Sequence, residues 1–92
     1  MPILIRWETD STMTLQLAGT IDTRCVPDVE RALQSARQMH CPVVLDLGKL
    51  RLIDRPTIQY VLDLIHGDVR SVVNCPEDVM RWMRREDASI DR

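Results

Sequence analysis

The chain has 92 residues, a 45% hydrophobic content and a net charge of −2, with acids and bases mixed along it. Those values describe a single domain over residues 1–92 with a small but adequate core, and they exclude a disordered chain. No basic field exists to neutralise a row of phosphates, and with no Phe and one Tyr there is almost nothing on which bases could stack, so nucleic acid is not an expected partner.

No apolar run approaches the roughly 20 residues that span a bilayer, so direct membrane insertion is not expected. The start, Met1-Pro2-Ile3-Leu4-Ile5-Arg6, lacks the basic segment and apolar core of a secretion signal. Cys25, Cys41 and Cys75 have no ligand-like spacing and cannot all pair within one chain. They are expected as free thiols in a reducing cytoplasm, with no metal site.

In chain order, Ile3, Ile5 and Trp7 alternate with Leu4, Arg6 and Glu8 at the period of a strand. Glu8 to Ser11 supplies a turn. Met13, Leu15 and Leu17 then point one way while Thr12, Thr14 and Gln16 point the other, which predicts an antiparallel hairpin with one wetter face. Gly19-Thr20-Ile21-Asp22-Thr23 leads into the first helix, with Asp22 or Thr23 as its cap and Pro27 early enough to be tolerated. Val26, Val29, Leu33 and Ala36 form the buried stripe, Met39 extends it, and Pro42 stops the helix.

Val43 to Leu47 is apolar on both sides of the pleat until Asp46, as in a central strand covered on both faces, and a short connection follows it. The next helix starts between Asp54 and Thr57, with Pro56 in its first turn. Ile58, Val61, Leu62 and Ile65 make its core stripe, and Tyr60 and Leu64 a second one beside it. His66-Gly67-Asp68 ends the helix. Val69 to Cys75 reads as a strand with Val69, Val73 and Cys75 on one side. Pro76 and Glu77 open a last helix whose Val79, Met80 and Met83 pack inward while Trp82 covers one shoulder. The order predicts a small α/β sandwich: an N-terminal antiparallel hairpin joined to a mostly parallel sheet of about four strands, with about three helices and a right-handed crossover in its later half.

Two stretches together resemble the STAS domain family, which includes bacterial anti-sigma factor antagonists. Leu17-Ala18-Gly19-Thr20-Ile21-Asp22 is similar to that family's step from hairpin into first helix. Val43-Val44-Leu45-Asp46-Leu47 with Leu52-Ile53-Asp54-Arg55-Pro56-Thr57 is similar to its stretch around a phosphorylatable serine. Asp54 falls on the acid before that serine, Arg55 on the serine itself, Pro56 on a second serine and Thr57 on the following glycine. Arginine cannot receive a phosphate. The resemblance therefore implies an interaction module without the usual switch, in the bacterial cytoplasm. Its partner would be an anti-sigma factor or a serine-kinase-like regulator, and no bound cofactor is required. Single-domain members also resemble a small soluble subunit that meets the ATPase of a lipid-transport ABC complex, and some resemble nucleotide binders.

The implied partner-binding surface comprises Asp22, Thr23, Leu52, Asp54, Arg55, Pro56, Thr57, Tyr60 and Leu64. A cation at a helix N-terminus stands where a phosphate would otherwise be held, beside unpaired amides. Thr57 is the nearest hydroxyl, either a displaced phosphosite or an ordinary first-turn residue bonded to local backbone. Tyr60 and Leu64 are either buried or an exposed apolar strip for a partner or a homodimer. Trp82 with Arg81 and Arg85 could line a second contact. Asp46 and Asp54 would make a weak hydrolase if strand end and helix start brought them together; otherwise Asp46 orders its loop and Asp54 caps its helix. His40 and His66 fit helix C-termini.

Overall fold

The computed structural model describes residues 3–8 and 11–90, with backbone alone for residues 88–90. It is an α/β domain with one four-stranded sheet in the order β1-β2-β3-β4, made of β1 (Ile3–Trp7), β2 (Met13–Ile21), β3 (Val43–Ile53) and β4 (Val69–Val73). β1 runs antiparallel to β2, while β2–β3 and β3–β4 are parallel. The helices are α1 (Val26–Gln38), α2 (Arg55–Ile65) and α3 (Glu77–Ile90), and a short 3-10 turn (Thr23–Cys25) precedes α1. The hairpin, the parallel sheet and the three helices agree with the architecture expected from the order of patterns. Of the turn expected at Glu8–Ser11, Thr9 and Asp10 lie outside the described residues; around them the Glu8 amide donates to the Thr12 carbonyl at 2.8 Å.

Right-handed crossovers that step the same way across a sheet put their helices on one face. Met13, Leu15 and Leu17 of β2 and Val43, Leu45 and Leu47 of β3 are buried there, in one cluster with Val29 and Leu33 of α1 and Ile58, Val61 and Leu62 of α2. β3 is central in the sheet, but only this face is packed with apolar residues. On the other, Val44 is half-buried and Asp46 sits among polar partners. β1 forms one edge, and its Leu4, Ile5 and Trp7 are exposed.

β3 is longer than its apolar core suggests. Pairing moves from Gln16–Asp46 to Ala18–Lys49, and from Gly19–Leu50 to Thr20–Leu52, so β3 carries an extra residue at each step. These are two β-bulges, and each re-phases the in-out alternation. Leu47, Leu50 and Ile53 all face inward as a result, three residues apart. Gly19 has φ of 76°, a backbone state costly for any residue with a Cβ, and it sits between the two bulges.

Several packing expectations need correction. Met39 is 60% exposed because it is the C-cap of α1, past the buried stripe. His40 follows in the left-handed region with φ of 54°; its amide donates to Arg37 and that of Cys41 to Ala36, a Schellman closure. An extra residue in β4 between Val69 and Ser71 turns Val72 inward, so Val73 is exposed. In α3, Val79 and Met83 are buried but Met80 is exposed, lying about 80° around the helix from their mean direction.

Candidate functional site

The two stretches that carry the family resemblance end side by side. Ile21 pairs with Ile53 in parallel register, and the Asp54 amide donates to the Ile21 carbonyl at 3.4 Å. Just beyond, both chains turn into helical structure, each opened by an aspartate. Asp22 Oδ1 accepts from the Arg24 amide at 2.9 Å, and the Arg24 guanidinium holds both carboxylate oxygens at 2.7–3.1 Å. The Arg24 side-chain hydrogen bonds, then its backbone bond, hold the Asp22 carboxyl below its usual range. Thr23, which follows, is exposed.

Asp54 is the N-cap of α2. Its Oδ1 accepts from the Thr57 amide at 3.0 Å and from the Thr57 hydroxyl. Pro56 occupies the first turn, where a missing N–H costs nothing. Between the two aspartates, on the end of β3, Leu52 is 64% exposed although its backbone is paired to Thr20. A large apolar side chain is thus held in water on a rigid strand, next to Arg51, Asp54 and Arg55, all exposed.

Arg55 is the first residue of α2 and lies on the surface, as expected. Its guanidinium is not directed at open amides. Arg55 Nε lies 2.9 Å from Glu86 Oε1, and Nη2 lies 3.5 Å from Oε2, with the Glu86 side chain only 11% exposed. Trp82 and Arg85 line the same shallow depression. The cation singled out by sequence is therefore ion-paired to α3, a contact 31 residues away that no local pattern announces.

Thr57 is fully buried and its hydroxyl is bonded to Asp54, so it is a first-turn residue closing its own helix and not a displaced phosphosite. Leu64 is 6% exposed and belongs to the core cluster. Tyr60 is half-buried and donates its hydroxyl to Glu30 of α1; burial, and then that bond, push its pKa up. Leu64 is turned into the core and Tyr60 is half-buried, so the two do not form an exposed apolar strip.

Asp46 and Asp54 are not brought together. β3 runs on from Asp46 to Ile53, so the two acids are eight positions apart along extended chain, roughly 20–25 Å. The paired-carboxylate hydrolase geometry is overturned. Asp46 is buried and accepts from the Gly48 amide at 2.9 Å, from Asn74 Nδ2 at 3.3 Å and from Arg6 Nη2 at 3.3 Å. A Cβ at Gly48 would be crowded, falling 3.0 Å from Asn74 Cβ and 3.2 Å from Asp46 Oδ1. This cluster stitches the hairpin and the end of β4 onto β3. The acid before a glycine was its only signal in the sequence.

Cys25, Cys41 and Cys75 are free, and burial pushes the Cys25 and Cys75 thiols up. Among the described residues no group of three His, Cys, Asp or Glu side chains could hold a metal ion, and no helix is long and apolar enough to cross a membrane. His66 caps the end of α2, and its Nε2 lies 3.0 Å from Asp87 of α3.

No family model matches the chain, and no curated protein matches it. It is similar to a solved structure described as "Crystal Structure Analysis of Mglu", with 28% identity and a TM-score of 0.62. The likeness covers 80% of this chain and 19% of that one, so this chain spans about a fifth of that protein's length.

Proposed function

We propose that the chain is a non-catalytic protein-interaction module of the STAS type. It acts in the bacterial cytoplasm on an anti-sigma factor or serine-kinase-like regulator. The observation that carries this reading is Leu52, exposed at the end of a doubly bulged strand between two capped helix starts. An apolar centre ringed by charged and polar residues is the anatomy of a docking surface. Asp22, Thr23, Asp54, Arg55 and Pro56 are assigned to that ring, and Thr57 holds the Asp54 carboxylate in place.

The first turn of α2 offers no accessible hydroxyl, since Arg55 and Pro56 carry none and that of Thr57 is enclosed. Docking at this helix is therefore not governed by a phosphate there. Calorimetric titration against the serine-kinase-like regulator of the same cell tests the reading. Burial of one leucine is worth about 1.5–3 kcal/mol, so Leu52→Asp should weaken binding by at least about tenfold. Leu4→Asp, on the far edge strand, should leave it unchanged. Equal affinity of wild type and Leu52→Asp would overturn the surface. Co-purification with a lipid-transport ATPase complex, with no binding to the regulator, would replace the partner.

A further inference from the structure

The ion pairs of the fold are unevenly spent. Arg6, Arg24, Arg31, Arg37 and Arg55 each meet a carboxylate within the molecule. On α3, Arg81 and Arg84 are exposed and form no ion pair among the described residues, and Arg85 lies exposed between them and Arg55. At about 100° per residue, Arg81, Arg84 and Arg85 fall within roughly 100° of arc, opposite the buried Val79 and Met83. Their Cα positions extend over only about 6 Å of helix. They line one shallow depression with Asp78, and Arg85 also lines a second with Trp82, Glu86 and Arg55.

We propose that this arginine face of α3 docks an acidic protein segment, a helix whose carboxylates stand one turn apart. The proposal rests on the interaction-module reading and names the chemistry of a second part of the partner's footprint. Carboxylates at i and i+4 are spaced about 5–6 Å apart, which matches the arginine spacing, and guanidinium forks take carboxylates two bonds at a time. Trp82, half-buried beside Arg85, offers the apolar contact next to the charges; tryptophan and arginine are the residue types that dominate docking energy. Glu77 and Asp78 close the upstream end of the same face and repel acids there, which fixes the direction of the bound segment.

A polyanion is a poorer fit. Three cations over so short a span neutralise too few phosphates, and the chain as a whole carries −2. An anionic bilayer would be held only weakly by so few cations.

The test uses the isotopically labelled full chain and a short fluorescent helical peptide with glutamates one turn apart. A lysine-for-glutamate version of the peptide and phosphatidylglycerol vesicles serve as controls. Expected are amide shifts confined to Asp78–Glu86, movement of the Trp82 indole, and no response to the lysine peptide. Arg81→Glu/Arg84→Glu should lose at least about tenfold in affinity and Arg81→Gln/Arg84→Gln a part of that, with circular dichroism confirming the fold. No binding, binding that both double variants retain, or a response to vesicles in place of peptide overturns the proposal. Peptide binding without engagement of the regulator would refute the regulator reading alone. Regulator binding that survives both double variants would refute the α3 assignment alone.

Discussion

Asp54→Ala removes two bonds at once, and their energies can be worked separately. Loss of an N-cap acceptor costs about 0.5–2 kcal/mol. The Thr57 hydroxyl, fully buried and bonded to Asp54, loses its partner as well, and a stranded buried hydroxyl costs about 1–3 kcal/mol. Together the change should remove about 2–4 kcal/mol, a fall in Tm of roughly 10–30 °C for a domain of this size. Asp54→Asn keeps an oxygen for the Thr57 amide and should cost less than half as much. The decisive measurement is a double-mutant cycle with Thr57→Val, followed by urea unfolding. Thr57→Val alone should cost about 1 kcal/mol, but in the Asp54→Ala background it should be neutral or stabilising, because it removes the stranded group. If the two changes add to within about 0.5 kcal/mol, the cap and the hydroxyl do not act as one unit and the reasoning fails.

Arg55→Glu sets a carboxylate against the nearly buried Glu86 and should cost about 1–2 kcal/mol in urea unfolding, while Arg55→Glu/Glu86→Arg recovers more than half. Tyr60 is the only tyrosine, so its ionisation can be followed alone by ultraviolet absorbance. Its folded pKa is raised by burial and then by Glu30, so titration should begin well above the ordinary value near 10. The associated stability is full below that value and is lost as pH rises; a normal titration would refute the contact. Asp68 has a lowered pKa, chiefly through its side-chain bonds from Arg37 at 3.0 and 2.6 Å. Its contribution is present above the usual carboxylate range and lost as pH falls through the lowered value. The stability gap between wild type and Arg37→Gln should therefore close on acidification.

The element order was legible because it follows from local pattern: period-two alternation in the hairpin, helical stripes in α1 and α2, and proline and glycine at the joints. The Asp54 cap was legible for the same reason, since it acts within three residues of itself. Asp22, expected to cap the first helix, caps the 3-10 turn before it, and Cys25 at the start of α1 makes no side-chain cap bond. What escaped were contacts across long stretches of chain. Nothing near Arg55 marks Glu86 as its partner, and nothing near Asp46 marks Arg6 or Asn74. The reach of β3 was hidden by its bulges: inward residues at 47, 50 and 53 break the alternation that identifies a strand, so the segment resembled a connection. A strand that ended near Leu47 would have left the Asp46–Asp54 pairing open; the full length of β3 separates the two acids. Thr57 and Leu64 were undecided for a different reason. A hydroxyl in a first turn, or a leucine on the flank of a stripe, is sorted into core or surface only by the packing of α1 and α3 around it.

The paired insertions in β3 have a consequence for how such a chain can change. Its first half, locked into the sheet by Val43, Leu45 and Leu47, is insulated from its last few residues by two places where the count is already irregular. Gaining or dropping a single residue there would swing Leu52 to a new bearing, and the inward-facing residues beyond the change with it, while Val43, Leu45 and Leu47 keep their places in the sheet. The tip behaves as an adjustable mount: lineages could re-aim what it presents, one codon at a time, without renegotiating the foundation beneath it.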